Sequence, residues 1–397
     1  MRRLLIAAAL VLACTPPATT ESPTPRATAT SLPSTIVSPS PSPAFGDLKV
    51  SPAGDVRGDH ALVLGVVGSA TAGVPSQPRI WDVPLDGSAA RLLVAYTRGA
   101  QIFSDYDRVD LSRQLSTDGR RLVLSDPTDV VGSALVVIDL IAGTPRKLSI
   151  GGAGDQPAWS PDGKGIAYRG FAIAAPFQKE SGIWVVPASG GNPQQVWPSD
   201  LAAGSGAMTL LGWTEDGSAI AFGRGSAEAS IVEVATGKVT RVGAARAFAW
   251  RANRPAVALI VEDDARAGHV EVRDTTLASP KIVARYGASE GTFFLGASWN
   301  PKSDEILLSY GCGQGVFCRD ELVIVDALTA ARRTLRTAST PRTAAWTGSG
   351  AQILYTDLGA VHVMNADGSN ERELFRPAQP GGGAHLAVTG VIAFASR

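Results

Sequence analysis

The stretch QPAWSPDGKGIAYRG, from Gln156 to Gly170, has the pattern of two short strands joined by a tight turn. In the turn Ser160–Gly163, the serine can hydrogen-bond back to the turn backbone and the proline presets φ at the second position. The glycine accepts the positive φ that follows. The apolar run Ile166–Tyr168 comes directly after the turn. This stretch therefore predicts a β-hairpin.

The same pattern recurs along the chain, as RQLSTDGRRLVLSD, LGWTEDGSAIAFGRG and AAWTGSGAQILYTD, with looser copies in FAWRANRPAVALIVED and ASWNPKSDEILLSYG. A second hairpin follows each copy, for example IWVVPASGGNPQQVW. Four short antiparallel strands that recur about every 45–50 residues are typical of the blade of a β-propeller. No stretch shows a sustained helical period, which argues against an α/β fold.

The sequence thus predicts an all-β protein, a seven-bladed β-propeller of four-stranded antiparallel blades. Seven second hairpins are complete, but HLAVTGVIAFASR, at the C-terminal end, is an eighth first hairpin. We expect it to pair with strands near residues 47–67, which closes the ring by joining the N- and C-terminal strands and leaves no long sheet edge open. Eight blades are the alternative.

The most conspicuous residues of the repeat are expected to be structural. The Asp-Gly turns shape the backbone, because calcium ligation would need several acidic residues at alternate positions. Five tryptophans occupy one repeat position, and they are predicted to pack between blades rather than to bind a ligand. They are Trp159, Trp213, Trp250, Trp299 and Trp346.

The N-terminus has the pattern of an export signal. Arg2 and Arg3 precede an apolar run, Leu4–Leu12, that is too short to span a bilayer. Val11–Cys14 resembles the lipobox of bacterial lipoproteins, which implies cleavage before Cys14 and lipidation of its thiol. A plain secretory signal is the alternative. We expect the protein on the cell membrane or outer membrane, facing the periplasm or the exterior, and held only by this lipid anchor.

Three segments are predicted on this basis. Residues 1–13 are the lipoprotein signal peptide, and residues 14–43 are the lipidated cysteine with a tether rich in Pro, Ser and Thr. Such a composition cannot bury enough apolar area to offset its ordering entropy, so the tether is expected to stay disordered. Residues 44–397 are the propeller.

Trp-Ser-Pro-Asp-Gly followed by an apolar strand resembles the TolB-like, WD-type β-propeller repeat of bacterial envelope proteins. The resemblance covers residues 44–397 and implies the fold. TolB carries a further N-terminal domain where this sequence has the tether, so the role of TolB in envelope complexes is not carried over. The resemblance also includes propeller lyases with several metal-binding histidines, a set that the four histidines here do not offer.

Charge and cysteine usage narrow the function classes. Lys plus Arg equals Asp plus Glu, 36 each, and no basic run stands out, so no nucleic-acid partner is expected. No metal and no cofactor are predicted. Cys312 and Cys318 are predicted to form a disulfide that constrains a loop, with a metal site as the weaker alternative. His60 and His385 could approach one another where the ring closes.

Loop length indicates where binding takes place. Loops within hairpins are tight, whereas the loops from second to third strand and from blade to blade are long and variable, and both classes open on the same face of a propeller. A rigid scaffold with one elaborated face places recognition there. Aromatic and charged residues in these loops are the candidate binding residues: Tyr96, Arg98, Asp105, Tyr106, Asp107, Arg108, Phe171, Phe177, Lys179, Glu180, Phe317 and Arg319.

The favoured hypothesis is a monomeric, non-enzymatic recognition or scaffold module that binds an envelope protein, peptide or glycan through this face, with no catalytic residue. The alternative is an exported propeller hydrolase or lyase that uses carboxylates in the central channel. Gly287–Gly291 matches the nucleophile motif Gly-x-Ser-x-Gly, but that motif needs a helix after it, and a strand of the next blade is predicted there.

Overall fold

The structure, a computed structural model, describes residues 48–53, 59–69, 77–96, 111–126, 134–150, 152–172, 180–199, 208–224, 228–245, 247–250, 256–263, 267–274, 280–286, 292–312, 321–357, 359–380 and 384–395. Regular structure in these ranges consists of strands and one 3-10 turn, Leu111–Gln114. None of these ranges contains a helix of the length and hydropathy that a bilayer span requires.

Five of the sheets have four antiparallel strands that pair in chain order, as predicted. We number strands in chain order and sheets as blades. Blade 3 contains β8 (Ala153–Trp159), β9 (Gly165–Ala172), β10 (Glu180–Pro187) and β11 (Gln194–Pro198). Blade 4 contains β12 (Met208–Trp213), β13 (Ala219–Arg224), β14 (Glu228–Glu233) and β15 (Val239–Gly243), and blade 5 contains β16 (Ala247–Trp250), β17 (Ala256–Glu262), β18 (Gly268–Asp274) and β19 (Lys281–Tyr286). Blade 6 contains β20 (Thr292–Trp299), β21 (Glu305–Cys312), β22 (Glu321–Asp326) and β23 (Arg332–Leu335), and blade 7 contains β24 (Ala344–Trp346), β25 (Gln352–Thr356), β26 (Val361–Asn365) and β27 (Arg372–Phe375).

Blades 1 and 2 differ from the four-stranded prediction. Blade 1 has five strands, in the order β1-β4-β3-β2-β28. Blade 2 has three strands, because its first segment coils into the 3-10 turn and leaves only Leu115 to form a bridge, with Leu122. Their strands are β1 (Leu48–Val50), β2 (Asp59–Ser69), β3 (Gln77–Pro84), β4 (Arg91–Tyr96) and β28 (Ala384–Ala395) in blade 1, and β5 (Arg121–Asp126), β6 (Ala134–Asp139) and β7 (Thr144–Leu148) in blade 2.

The blades form a closed ring around a central channel. The innermost elements contact one another in sequence from the 3-10 turn through β8, β12, β16, β20 and β24 to β28, which contacts the 3-10 turn again. β28 pairs with β2 from Asp59↔Ala395 to Ser69↔Ala384. The predicted closure by N- and C-terminal strands is therefore confirmed. The described residues form seven sheets, so the alternative of eight blades is wrong.

The turns of the repeat have the predicted chemistry. In blade 3, the Gly163 amide donates to the Ser160 carbonyl at 2.9 Å, and φ of Gly163 is +68°. The hydroxyl of Ser160 donates to Asp162 at 2.6 Å and accepts from the Gly165 amide at 2.8 Å. The hydrogen bonds from the Ser160 hydroxyl and the Lys164 amide hold the pKa of Asp162 below its ordinary value. Asp162 therefore serves to shape the turn, as predicted for the Asp-Gly turns of the repeat.

Four of the five repeat tryptophans link their blade to the preceding one, as predicted. The indoles of these four are buried, and each N–H donates to the backbone carbonyl one residue before the equivalent position of the preceding blade. The four described pairs are Trp159 with Gln114 at 2.9 Å, Trp213 with Ala158 at 3.1 Å, Trp299 with Ala249 at 2.9 Å and Trp346 with Ser298 at 3.2 Å. The side chain of Trp250 lies outside the described residues.

Candidate functional site

Strand direction gives the propeller two different ends. Because consecutive strands are antiparallel, connections from first to second and from third to fourth strand lie at one end, the turn end. The other connections lie at the opposite end, the loop end. The first-to-second connection has five residues wherever it occurs, as in 160–164. At the loop end, connections run from three residues, 225–227, to fourteen, 97–110. The predicted placement of both variable classes at one end is confirmed.

The predicted binding residues fall at this loop end or outside the described residues. Tyr96 ends β4, Phe171 lies near the end of β9 and Glu180 begins β10, and for these three only the backbone is described. Cys312 is the last residue of β21. Outside the described residues lie Cys14, Arg98, Asp105, Tyr106, Asp107, Arg108, Phe177, Lys179, Phe317, Cys318 and Arg319.

The described part of the channel wall holds a polar cluster that the sequence analysis did not predict. Arg113, in the 3-10 turn of blade 2, donates from Nη1 to the carbonyl of Leu210 in β12 of blade 4 at 2.6 Å. β8 of blade 3 lies between these two elements and contacts both. The Arg113 side chain therefore passes β8 on its channel side, and the three blades meet at this residue.

A β-bulge in β8 supplies the second contact of the cluster. Gln156 and Pro157 together face one residue of β9, so the register shifts between Asp155 and Ala158. Gln156 has φ of +50°, a left-handed conformation that is uncommon for a residue other than glycine and is concentrated at functional sites. Its side-chain Oε1 accepts a hydrogen bond from the Leu210 amide at 2.6 Å. Both backbone groups of Leu210 therefore bind side chains of other blades.

An ion pair completes the cluster. The Arg169 guanidinium donates from Nε to Asp155 Oδ1 at 2.6 Å and from Nη2 to the other carboxylate oxygen, a bidentate arrangement. Its Nη1 also donates to the Met208 carbonyl at 2.7 Å. Side-chain exposure is 15% for Arg169 and 22% for Asp155, so both charged groups are partly open to solvent. With Arg113, the cluster carries two guanidinium groups and one carboxylate, and it favours an acidic group.

The sequence contains weak signals of this cluster. Gly212, inside the strand pattern LLGW, has φ of +124°, and a β-carbon there would lie 2.9 Å from Cδ of Arg113. A glycine within a strand often marks a bulge or a close approach of another chain segment. The register of β12 does shift between Leu210 and Gly212. The sequence does not show which residue approaches Gly212. That residue is Arg113 of blade 2, and the two meet only because the ring of blades is closed.

The three histidines whose side chains the structure describes each pair with an aspartate. His60 Nδ1 lies 2.6 Å from Asp82 Oδ1, and Asp82, which is buried, also accepts from Arg91 at 2.9 Å. His269 Nδ1 lies 2.9 Å from Asp263 Oδ2. The expectation that His60 approaches His385 is wrong, because His60 pairs with Phe394 and His385 with Gly68, at opposite ends of β2.

The third histidine belongs to a serine–histidine–aspartate cluster in blade 7. His362 Nε2 lies 2.9 Å from Asp357 Oδ2 and 3.3 Å from Ser339 Oγ. Because both contacts use one ring nitrogen, the aspartate cannot orient the imidazole as a base for the serine, as a catalytic triad requires. Burial alone would raise the pKa of Asp357, but hydrogen bonds from His362 and from the amides of Gly359 and Ala360 lower it below its ordinary value. The cluster therefore stabilises the 357–360 turn.

Tyr355 extends this cluster between blades 6 and 7. Its ring stacks on His362 with a centroid distance of 4.8 Å, and its hydroxyl donates to Glu371. Burial, reinforced by the Glu371 carboxylate, raises the pKa of the Tyr355 hydroxyl. Within the described ranges, no group of three or more His, Cys, Asp or Glu side chains is arranged to hold a metal ion. β20 begins directly after Gly287–Gly291, so a strand follows this motif, as predicted.

No protein-family model matches this chain, and no curated protein matches it significantly. Among solved structures, the oligogalacturonate lyase of Vibrio parahaemolyticus superposes with a TM-score of 0.52 at 12% identity, over 82% of this chain and 88% of the lyase. A prolyl endopeptidase superposes with a TM-score of 0.53 at 13% identity, over 82% of this chain and 50% of that protein. TolB from Acinetobacter baumannii matches at 16% identity over 83% of this chain and 81% of TolB, with a TM-score of 0.44.

These neighbours share the propeller fold. At identities of 12–16%, the similarity shows a shared fold and nothing about function. TolB propellers are among the neighbours, in line with the repeat, although that TM-score is too low to carry an argument. Because the lyase and the endopeptidase differ in chemistry, their shared fold does not assign a reaction to this protein.

Proposed function

We propose that this protein is a non-enzymatic, extracytoplasmic recognition module, anchored by a lipid on Cys14, which binds an envelope protein, peptide or glycan at its loop end. The contrast between the two ends of the propeller supports this proposal most directly. The turn end is built from short turns closed by their own hydrogen bonds, whereas connections at the loop end differ from blade to blade. Such variation on a rigid scaffold is where binding residues concentrate.

The channel cluster adds a chemical preference. Arg113 and Arg169, set against the single carboxylate of Asp155, give this cluster one more positive than negative charge. Arginine is suited to recognise carboxylates, because its planar donors match their geometry. A partner that places an acidic side chain, a peptide C-terminus or an acidic sugar over the channel would complement this charge.

Loop-end binding is tested by crosslinking the native protein in intact cells, with mass spectrometry of the captured partner. Replacing Tyr106 and Phe177 together by alanine should reduce capture at least tenfold, because aromatic anchors dominate such interfaces. The melting temperature should change by less than about 2 °C, since both residues are predicted to be exposed.

The matched control removes two apolar side chains at the turn end, Ile141 and Leu328, which are 38% and 66% exposed. Capture should be unchanged in this variant. Equal losses in both variants, or no specific partner at several crosslinker lengths, would contradict binding at the loop end. A large fall in melting temperature for the loop variant would show that Tyr106 and Phe177 belong to the core.

The lipid anchor is tested separately by Cys14→Ser. A serine cannot carry the thioether-linked lipid, so the variant should move from the membrane fraction to the soluble fraction on cell fractionation. Ser34→Ala, in the predicted tether, is the control and should leave the protein in the membrane fraction. Retention of the Cys14→Ser variant in membranes would rule out the anchor.

A further inference from the structure

The first strand of the chain covers the outer edge of blade 1. In blades 2 to 7 the strand equivalent to β4 is the outermost one among the described residues, whereas in blade 1 this strand has β1 on its outer side. β1 pairs antiparallel with β4 from Leu48↔Tyr96 to Val50↔Val94. The Ser51 amide continues this pairing with a hydrogen bond to the Leu93 carbonyl at 2.8 Å. β1 therefore occupies an edge to which the other blades add no strand in the described part of the chain.

The edge under β1 differs in composition from the outer edges of the other blades. β4 contains four consecutive aliphatic residues, Leu92–Ala95, and one charged residue, Arg91, at its first position. The other outer strands have at most three apolar residues in a row, and each contains a proline or a charged residue: TPRKL, QQVWP, VTRVG, KIVARY, RRTL and RELF. Charged residues and prolines protect a sheet edge from pairing with another chain. β4 has the least protection of this kind.

β1 gives blade 1 the edge protection that β4 lacks. It has three residues, Leu48–Val50, and Pro52 follows shortly after it. Its middle residue, Lys49, is exposed. A very short strand, a lysine and a proline are three of the features by which proteins prevent pairing between sheet edges. With β1 in place, blade 1 therefore presents a protected edge, and the aliphatic edge of β4 is covered.

The contacts that hold β1 are few and do not include those that close the ring. Leu48 and Ala53 are buried in the apolar cluster between blades 1 and 2, and the Ala53 amide donates to the Leu140 carbonyl at 2.7 Å. Ring closure belongs to β2 and β28, on the inner side of blade 1. Segments with few buried contacts open locally at a lower free energy than the whole protein unfolds. β1 can therefore leave β4 while the propeller stays folded.

We propose that β1 is an autoinhibitory strand, and that its release lets β4 pair with β4 of a second copy of this protein. Antiparallel pairing about a two-fold axis sets Leu92 opposite Ala95 and Leu93 opposite Val94, aliphatic against aliphatic. The two Arg91 residues then lie at opposite ends of the pair, about 17 Å apart. This goes beyond the proposed function, because the interface lies at the outer edge of blade 1 and not at the loop end.

The sequence of β4 favours self-pairing in a way that the sequences of β7 and β15 do not. These two strands have an arginine at their central position, Arg146 and Arg241, which the same two-fold arrangement would set against its own copy. Like charges directly opposite one another destabilise a strand pair. Release of β1 also uncovers the apolar surface under Leu48 when the edge of β4 becomes free. Both effects favour association of two copies through β4.

The proposal is tested by light scattering on the full-length protein at micromolar concentration, with Cys14→Ser in every variant so that no lipid contributes to association. Leu48→Asp with Val50→Asp should release β1, because two carboxylates would otherwise enter the apolar cluster. The mass of this variant should double relative to the parent, which should be monomeric. Ser51→Pro, a milder variant, removes the N–H that binds β4 and should also raise the dimer fraction. Hydrogen exchange of the β1 amides reports the release in both variants.

Lys49→Asp is the matched control, because it adds an acidic residue to β1 at an exposed position, and it should stay monomeric. Adding Leu92→Lys and Ala95→Lys to the double aspartate variant sets lysines opposite one another across the two β4 strands and should restore the monomer. A monomer despite fast exchange of β1 in both release variants would contradict the proposal. It is equally wrong if β1 stays protected in both, if the parent or Lys49→Asp is a dimer, or if the dimer survives the two lysines.

Discussion

Val388→Asp should remove most of the stability of the propeller at pH 7. Val388, in β28, is fully buried in the apolar cluster between blades 1 and 7, where it packs with Leu354 and Val363. A carboxyl in such a site has its pKa raised by up to about 3–5 units, which corresponds to about 4–7 kcal/mol for ionising it there. The whole stability of a typical domain is about 5–15 kcal/mol.

The predicted loss depends on pH in a defined direction. Because burial raises the pKa of the introduced carboxyl in the folded state, the penalty grows as pH rises above the unfolded value of about 3.9 and is smallest below it. Thermal unfolding followed by circular dichroism should therefore show the variant more stable at pH 4 than at pH 7, relative to the parent. Val388→Asn is the matched control and should lose the same stability at both pH values. An unchanged melting temperature in Val388→Asp would contradict the closure by β28.

Trp213→Ala should be the most damaging truncation within a blade interface, at about 3–5 kcal/mol. The indole is buried between blades 3 and 4 among residues that include Ile183 and Val232. Removing it leaves a cavity and also leaves the Ala158 carbonyl without its donor. Chemical denaturation should report the loss as a lower midpoint with a similar slope.

Trp213→Phe separates packing from hydrogen bonding. Phenylalanine keeps an aromatic ring but cannot donate, so it should lose about 1–3 kcal/mol, chiefly through the unpaired carbonyl of Ala158. Its stability should lie between those of the parent and Trp213→Ala. If Trp213→Phe matches the parent, the indole N–H does not link the blades energetically. If it matches Trp213→Ala, the cavity is not the main cost.

The fold could be predicted because its decisive interactions are local. Ser160, Asp162 and Gly163 form a turn through contacts within a few residues, and the sequence repeats that turn. The tryptophan directly before the turn, Trp159 in blade 3, likewise follows from counting along the repeat. Ring closure was predictable because a first hairpin without a second one remained at the end of the chain.

The channel cluster could not be predicted in the same way. The contact between Arg113 and Leu210 joins residues 97 positions apart, and it depends on two bulges whose geometry a repeat does not reveal. The extra strand of blade 1 was also missed, since Leu48–Val50 is too short to stand out. Gln156 is the first residue of the repeat stretch Gln156–Gly170, yet only its contact with the Leu210 amide gives it a role.

Ring closure also orders the events of folding. Blades 3 to 7 are each built from strands that are consecutive in the chain, so each can form from contacts of short sequence separation. The pairing of β2 with β28 spans more than three hundred positions, from Asp59 to Ala395, and carries the entropic cost of a very long loop. Closure of blade 1 is therefore expected to be the slow step of assembly. The same seam is where the ring would first open under mechanical or thermal stress.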